Sequence, residues 1–439
     1  MPKNISLLCL TSLFAPVKFE FIYLGQFFMK THICIIGAGP AGLAAAIFSA
    51  RQGVQTIVLE GNAVAGRKLL ITGGGRCNLT HQIEPEELVR LLGKMGRFLS
   101  YAFYEYPPRY ICDFFANIGV KTKIEKDGCI FPASYKAKQV RDSLVSEAKQ
   151  HGVIFLYNSP VTDIIKHSNG FLIETSCQQI HSEKVIIATG GISWPRTGSK
   201  GDGYRFAEKL GHTIIKPRAA LVPLVTKEKW PGDLAGTSID NVKIAANINK
   251  KKISTQGALV FTDNGIGGPA AQDMSGLLAD FLPATEHPVQ ITMDLAPDSQ
   301  PEVLVERIIE LINENPKKNI VNTLSDFLPR RLALVVSRLA NCDSGVFGGQ
   351  LTKETRRKII YTIKSLPLSI LRARSMDEAI VTHGGVKLSE INPKTMESKI
   401  CNGLYFAGEV IDADGPCGGY NLQICWSTGA LAGYSAAKK

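Results

Sequence analysis

His32-Ile-Cys-Ile-Ile36, Gly37-Ala38-Gly39-Pro40-Ala41-Gly42 and Leu43-Ala-Ala-Ala-Ile-Phe-Ser-Ala-Arg51 decide the fold. The first run is short and apolar, as a buried strand is. The glycine turn follows at once. The third run reads as a helix, and Gly53 ends it. Thr56-Ile-Val-Leu59 is a second strand, closed by Glu60 and Gly61. A strand, G-x-G-x-x-G, a helix, a strand and an acid within about 30 residues make a dinucleotide-binding unit. Gly37 permits the tight turn, Gly39 lets backbone approach a pyrophosphate, and Gly42 lets helix and strand pack closely. Ala38, Pro40 and Ala41 complete the cradle, where a helix N-terminus offers free N–H groups and partial positive charge. Glu60 can accept hydrogen bonds from both hydroxyls of an adenosine ribose.

That motif alone does not separate FAD from NAD. The following segments do. Gly66-Arg67-Lys68 to Gly73-Gly74-Gly75-Arg76-Cys77-Asn78 is a second glycine-rich loop with three cations, long enough for a cofactor larger than one nucleotide clasp. Val153–Val161 reads as a strand, and Val161 could lay its backbone against adenine. Val185-Ile-Ile-Ala-Thr189-Gly190-Gly191 is a strand running into a glycine turn. Near the end, Gly403-Leu-Tyr-Phe-Ala407 is a strand stopped by Gly408-Glu409, a carboxylate placed for a ribityl hydroxyl. Gly415-Pro-Cys-Gly-Gly419-Tyr420-Asn421 opens a helix over 422–437. Its N-terminus would point at the pyrimidine edge of an isoalloxazine, which gains negative charge on reduction. These segments point to FAD. No second complete strand–G-x-G-x-x-G–helix unit exists, so NAD(P)H is expected as a transient co-substrate without its own domain.

Composition bounds the rest. The chain has 439 residues, 45% hydrophobic and 20% charged, which suggests two or three domains. Its ten cysteines contain no C-x-x-C pair. That argues against a disulfide framework and a dithiol flavoenzyme, and for a reducing cytoplasmic setting. The apolar stretches within residues 1–28 are broken by Pro16, Lys18 and Glu20, and neither reaches the ~20 residues of a membrane span. Residues 1–29 read as a non-native extension with Met29 as the functional start; a weak membrane anchor is the alternative. No metal site is expected.

The net charge of +11 is concentrated. Residues 316–374 hold twelve Lys/Arg against three acids. Such a face could attract an anionic substrate or nucleic acid. A solvated helical surface is the simpler reading, and no RNA-binding signature accompanies it. The expected partner is a small-molecule substrate. The oligomeric state is open.

An insert interrupts the cofactor unit. Val242–Ile253, Ala258–Thr262 and Val289–Leu295 read as strands, and Glu302–Asn313, Ile320–Phe327, Arg330–Ala340 and Leu351–Ile363 as helices. The chain is therefore α/β: a FAD-binding domain over 30–219 and 379–439, and an inserted cap over 220–378. The junction between them is the expected substrate pocket.

GRKLLITGGGRCN at residues 66–78 and HGGVKLSEINPKTMESKICNGLYFAGEVIDADGPCGGYNLQ at 383–423 resemble the BaiN/RdsA-type (YhiN-like) NAD(P)/FAD-dependent oxidoreductases of bacteria. The resemblance covers residues 30–439. It implies a Rossmann-like FAD-binding domain of the GR2 type, with an insert carrying a small β-barrel part, about 220–298, and a helical part, about 299–378. It also implies NAD(P)H-driven, flavin-dependent reduction of a C=C bond conjugated to a ketone. Relatives place a His and a Ser in the stretch 261–270, where this chain has Asp263 and Gly267. Tyr420, Asp263, Cys77 and His383 are candidate proton donors, and none is singled out as catalytic. The alternatives are an RNA-associated, RNA-modifying flavoprotein and a flavin-binding regulator without turnover.

Overall fold

The computed structural model describes residues 28–282 and 287–438. The apolar run before the glycine turn forms the strand Phe28–Ile36. Parallel neighbours, Thr56–Leu59 and Gln179–Ile187, flank it. Ile33, Cys34 and Ile35 are wholly buried, as expected for a parallel strand covered on both faces. Beyond Thr56–Leu59 lies Ile154–Leu156. On the other side, Gln179–Ile187 shares one edge between two partners. Its first half pairs antiparallel with Gly170–Thr175, and its last residues pair parallel with Leu404–Phe406. Val161–His167 completes the seven-stranded sheet.

The structure departs from the sequence pattern in three places. Most of the expected N-terminal extension lies outside the described residues, but Phe28 and Met29 pair with Gln179 and Ile180, so the first strand starts earlier than residue 30. Val153–Val161 is not one strand: Asn158 takes a left-handed backbone before Pro160, and the chain turns. The helical and barrel parts of the insert are also nested. The barrel closes in the order Leu224–Thr226, Gly265–Gly267, Lys251–Thr262, Ser238–Ile248, Val289–Asp294, Leu366–Ala373. Its last strand follows the helices Pro301–Glu314, Ile320–Leu324, Arg330–Leu339 and Lys353–Lys364, so a division at residue 298 cuts the barrel open. Asn249 and Lys250, both at positive φ, form the tight turn of its longest hairpin.

Two hydrophobic cores result, one around the sheet and one joining the barrel to its helices. The chain passes between them beside the paired strands Ile214–Ala220 and Val381–Val386.

The two ends of the chain meet through small residues. The first helix, Pro40–Ala50, packs against the last, Tyr420–Ala437. A Cβ on Gly429 would lie 2.4 Å from the Ala41 carbonyl oxygen, and one on Gly433 2.2 Å from that of Ala45. Only glycine allows this approach.

Candidate functional site

The glycine turn is built as its spacing requires. Gly37 has φ +101°, and a Cβ there would lie 2.6 Å from the Ala188 carbonyl oxygen. A Cβ on Gly42 would lie 1.9 Å from the Gly37 carbonyl oxygen. Gly39 differs: no protein atom lies within 4 Å of where its Cβ would be. Its backbone faces open space at the N-terminus of Pro40–Ala50.

That space is part of one cavity of about 620 Å³, lined from Glu60 and Val161 to Cys417 and Gly418. Its size falls in the range of about 300–1,000 Å³ usual for small-molecule and cofactor sites. Of the residues singled out in the sequence, the cavity wall contains Gly37, Gly39, Pro40, Ala41, Glu60, Gly61, Arg67, Lys68, Asn78, Val161, Thr189, Gly190, Glu409, Gly419 and Asn421.

Seven others do not line it. Ala38 and Gly42 are buried beneath the turn. Gly74 and Gly75 are off the wall, and Gly73 of the same loop lines it instead. Gly191 packs against Thr382, and Gly408 packs against Ala41. Tyr420 is buried with its ring stacked on His81, centroids 4.9 Å apart.

Two carboxylates anchor the wall. Glu60 Oε2 accepts from the Ala38 N–H at 2.9 Å, and Oε1 accepts from the Asn62 backbone at 2.9 Å and its amide at 2.6 Å. Glu409 Oε2 accepts from Lys68 Nζ at 2.6 Å; Oε1 accepts from Ser193 Oγ at 2.6 Å and the Thr382 N–H at 2.8 Å. A carboxylate has about four acceptor sites. Each therefore has room for about one more donor with these partners in place.

At the other end, Asn421 clasps the turn ahead of the last helix. Its Oδ1 accepts from the Gly415 N–H at 2.9 Å, and its amide donates to the Gly415 carbonyl at 2.8 Å. Oriented to suit its neighbours, the Asn78 amide accepts from the Gly419 N–H at 3.2 Å. The insert reaches this turn as well: Asp273 Oδ1 accepts from the Cys417 N–H at 2.7 Å. Burial raises the Asp273 carboxyl above its usual range, although the Cys417 N–H opposes that shift.

The open backbone at Gly39, the helix N-terminus, the carboxylates and the volume fit a dinucleotide lying along the cavity. A match to the HI0933-like protein Rossmann domain extends over residues 31–435. The chain belongs to the HI0933-like family. It is 30% identical over 410 residues to the 3-dehydro-bile acid delta(4,6)-reductase of Clostridium scindens, covering 93% of this chain and 99% of that protein. It is 31% identical over 398 residues to the ribosomal RNA dihydrouridine synthase of Escherichia coli, covering 90% and 95%. The 3-ketosteroid-delta4-(5alpha)-dehydrogenase of Rhodococcus jostii, solved with 4-androstene-3,17-dione, shares the fold: TM-score 0.52, 16% identity, 94% and 97% coverage. This HI0933-like chain is thus a flavin-dependent oxidoreductase with a Rossmann-like FAD-binding domain.

None of the four candidate proton donors lines the cavity. Asp263 is mostly exposed and paired with Arg374. Cys77 is buried at positive φ, and burial pushes its thiol up to about 12. Burial likewise pushes the Tyr420 hydroxyl up to about 12. His383 lies two residues along a strand from Val381, a cavity residue, and so shares its face. Its Nδ1 pairs with Asp414 Oδ1 at 2.8 Å.

Sequence reasoning missed several wall residues. Asn62, Leu221, Ile380, Val381, Arg196, Lys200 and the pair Cys417 and Cys425 all line the cavity. Cys417 was visible inside the C-terminal motif, and Cys425 in the helix that follows it. The rest carry no spacing signal.

Among the described residues, no cluster of three or more His, Cys, Asp or Glu could hold a metal, and no helix is long and apolar enough to cross a membrane.

Proposed function

We propose that this protein uses NAD(P)H to reduce a C=C bond conjugated to a carbonyl, with FAD held along the cavity. FAD would supply hydride from N5; the protein supplies binding, orientation and electrostatics. Gly39, Glu60, Arg67, Lys68, Val161 and Gly190 would hold the adenosine diphosphate portion. Glu409 would hold the ribityl chain, and Gly419 and Asn421 would order the turn beneath the ring.

The observation that carries this reading is the far end of the cavity. Leu221, Ile380 and Val381 line it where the chain crosses between cofactor unit and insert. Leu221 and Val381 form an apolar cluster with Ala220, against which Cys417 packs. An apolar mouth beside the proposed ring site suits a flat, weakly polar acceptor and excludes water from the hydride path. The Clostridium relative's name describes a reductase of an unsaturated 3-keto bile acid, which is chemistry of this class.

Anaerobic reduction of the FAD-loaded protein with NADH or NADPH tests the reading, followed by addition of a panel of enones. Reoxidation of the flavin by an enone, with the saturated ketone as product, is the expected result. A flavin that neither nicotinamide bleaches would point to a regulator. A bleached flavin that no enone reoxidises would leave an oxidoreductase of another class.

The basic helical face supports a second acceptor. Arg357, Lys358 and Tyr361 line a groove beside Leu339 and Asn341; Glu354 lines it too and pairs with Lys358 at 2.8 Å, which leaves Arg357 as its free cation among the described residues, and Tyr361 is 70% exposed. That surface suits a nucleic-acid strand. Salt-sensitive binding of RNA at low ionic strength would favour this reading, and its absence would remove it.

A further inference from the structure

We propose that His383 is a positioning residue for the isoalloxazine end of the site, bridging Asp414 of the cofactor unit and Asp280 of the insert so that the Asp412–Gly418 turn is held against the ring. The proposal rests on the FAD reading above.

The turn is the part of the wall that most needs holding. Ala413, Pro416, Cys417 and Gly418 all line the cavity. Residues 412–418 belong to no helix or strand, so their placement depends on tethers. Several tethers hold it. Asn421 clasps Gly415, Asp273 takes the Cys417 N–H, and His81 Nδ1 lies 3.1 Å from the Gly418 carbonyl oxygen. Another is His383 at Asp414, 2.8 Å away, where the carboxylate side chain is 8% exposed. Next to it, the Asp412 N–H donates to the Val386 carbonyl at 3.0 Å, which fixes the start of the turn on the strand that carries His383.

His383 also faces the insert. Its Nε2 lies 3.4 Å from Asp280 Oδ2. Arg218, directly across the strand pair from His383, donates to the Ala279 carbonyl at 2.9 Å and lies 3.8 Å from the Asp280 carboxylate. One imidazole thus joins the turn to the insert.

The charged groups around the ring are Asp414 and Asp412 on the turn, Asp280 on the insert and Arg218 on the neighbouring strand. Three acids outweigh the one guanidinium, which opposes them, and favour the imidazolium. The Asp414 hydrogen bond raises the His383 pKa to about 9 against the cost of burial, with the Asp414 and Asp280 charges adding to the rise. The bridge is therefore a charged one at neutral pH, and it loses its charge as pH rises through about 9.

The test uses the full chain stripped of flavin and titrated separately with FAD and with ADP, which probes the adenosine half alone, at pH values from about 7 to 10. In the unmodified protein, FAD affinity should fall as pH passes about 9, while ADP affinity holds. His383→Gln should weaken FAD about tenfold at neutral pH, the loss of one charge-assisted hydrogen bond, and abolish the pH step. ADP binding should not change. His383→Asn, which keeps a donor near the position of Nδ1, should recover much of the FAD affinity without the pH step. Equal weakening of FAD and ADP would make His383 a scaffold residue and overturn the proposal. So would a pH step that survives in His383→Gln. If the unmodified protein takes up no FAD at any pH, the cofactor reading itself fails. If FAD binds both proteins alike, only the role of His383 fails.

Discussion

Lys68 Nζ lies 2.6 Å from Glu409 Oε2, a contact between residues 341 positions apart. Both side chains are mostly buried, 20% and 15% exposed, and both face the cavity. Ser193 closes the triangle, accepting from Lys68 at 2.6 Å and donating to Glu409 at 2.6 Å. A charge left unpaired in such a place costs more than the pair contributes. Lys68→Met should therefore lower unfolding stability by about 1–3 kcal/mol. It should also weaken FAD binding, because the strand end at Glu409 and the loop at Lys68 would no longer share a position. Urea unfolding with and without FAD measures the two effects. A variant with native stability and native FAD affinity would show the contact to be incidental.

Gly39 and Gly42 make a sharper pair. Both belong to one motif, yet their surroundings differ. A methyl on Gly42 would lie 1.9 Å from the Gly37 carbonyl oxygen, so backbone must move. Gly42→Ala should cost about 1–3 kcal/mol, as overpacking does. Gly39 has φ −74°, which alanine adopts freely, and open space where its Cβ would be. Gly39→Ala should leave the stability of the flavin-free protein within about 0.5 kcal/mol of native. It should still lose FAD by more than about tenfold, since the methyl points where the pyrophosphate would lie. Thermal melts of the stripped proteins and FAD titration separate the two. Equal destabilisation by both changes would sink the distinction.

That contrast explains how much could be read from sequence. The Phe28–Leu59 unit was legible because each local rule agrees: apolar strand, glycine spacing, helix, acid. The C-terminal block was legible because Gly408-Glu409 and Gly419 sit at element ends. What escaped were partners that are neighbours only in space. Ser193 and Thr382 complete the Glu409 site, but single hydroxyls carry no period. Three glycines in a row, 73–75, do not say which faces inward; Gly73 does, because its loop folds onto Asn78 and Phe131. The barrel's closing strand, Leu366–Ala373, pairs with Leu224–Thr226 across the whole helical segment, and no local pattern encodes that pairing.

His212 gives a pH prediction with a definite sign. Its side chain is wholly buried; Nε2 lies 2.7 Å from Ser398 Oγ, and the ring meets Phe406 edge-on at 4.8 Å. Burial holds its pKa below the usual histidine value, and Glu390 opposes this only in part. The unfolded chain therefore binds the proton first as pH falls. Stability from this group is complete above the ordinary histidine pKa of about 6.5 and declines below it, with a limiting slope of about 1.4 kcal/mol per pH unit. His212→Gln should flatten that part of the profile while keeping a partner for Ser398. Urea midpoints across the interval check it; an unchanged slope in the variant would assign the loss to other groups.

Cysteine labelling tests the cavity directly. Cys177 is exposed, whereas Cys34 and Cys77 are buried with thiols held protonated by desolvation. Cys417 and Cys425 are intermediate, and both line the cavity. Burial, reinforced by Asp273 beside one and Glu409 beside the other, raises both thiols, the second to about 12. A thiol-selective reagent acts on the thiolate, so exposure alone does not set the rate. In the flavin-free protein, Cys177 should label first and Cys417 and Cys425 slowly. Cys34 and Cys77 should label only on unfolding. FAD should then protect Cys417 and Cys425 while leaving Cys177 unchanged, because a ligand spanning the cavity covers both walls at once. Peptide mass spectrometry after timed quenching reads each site. Protection of neither cavity cysteine by saturating FAD would mean that the flavin does not reach the start of the last helix, and the two ends of the chain would not share one cofactor.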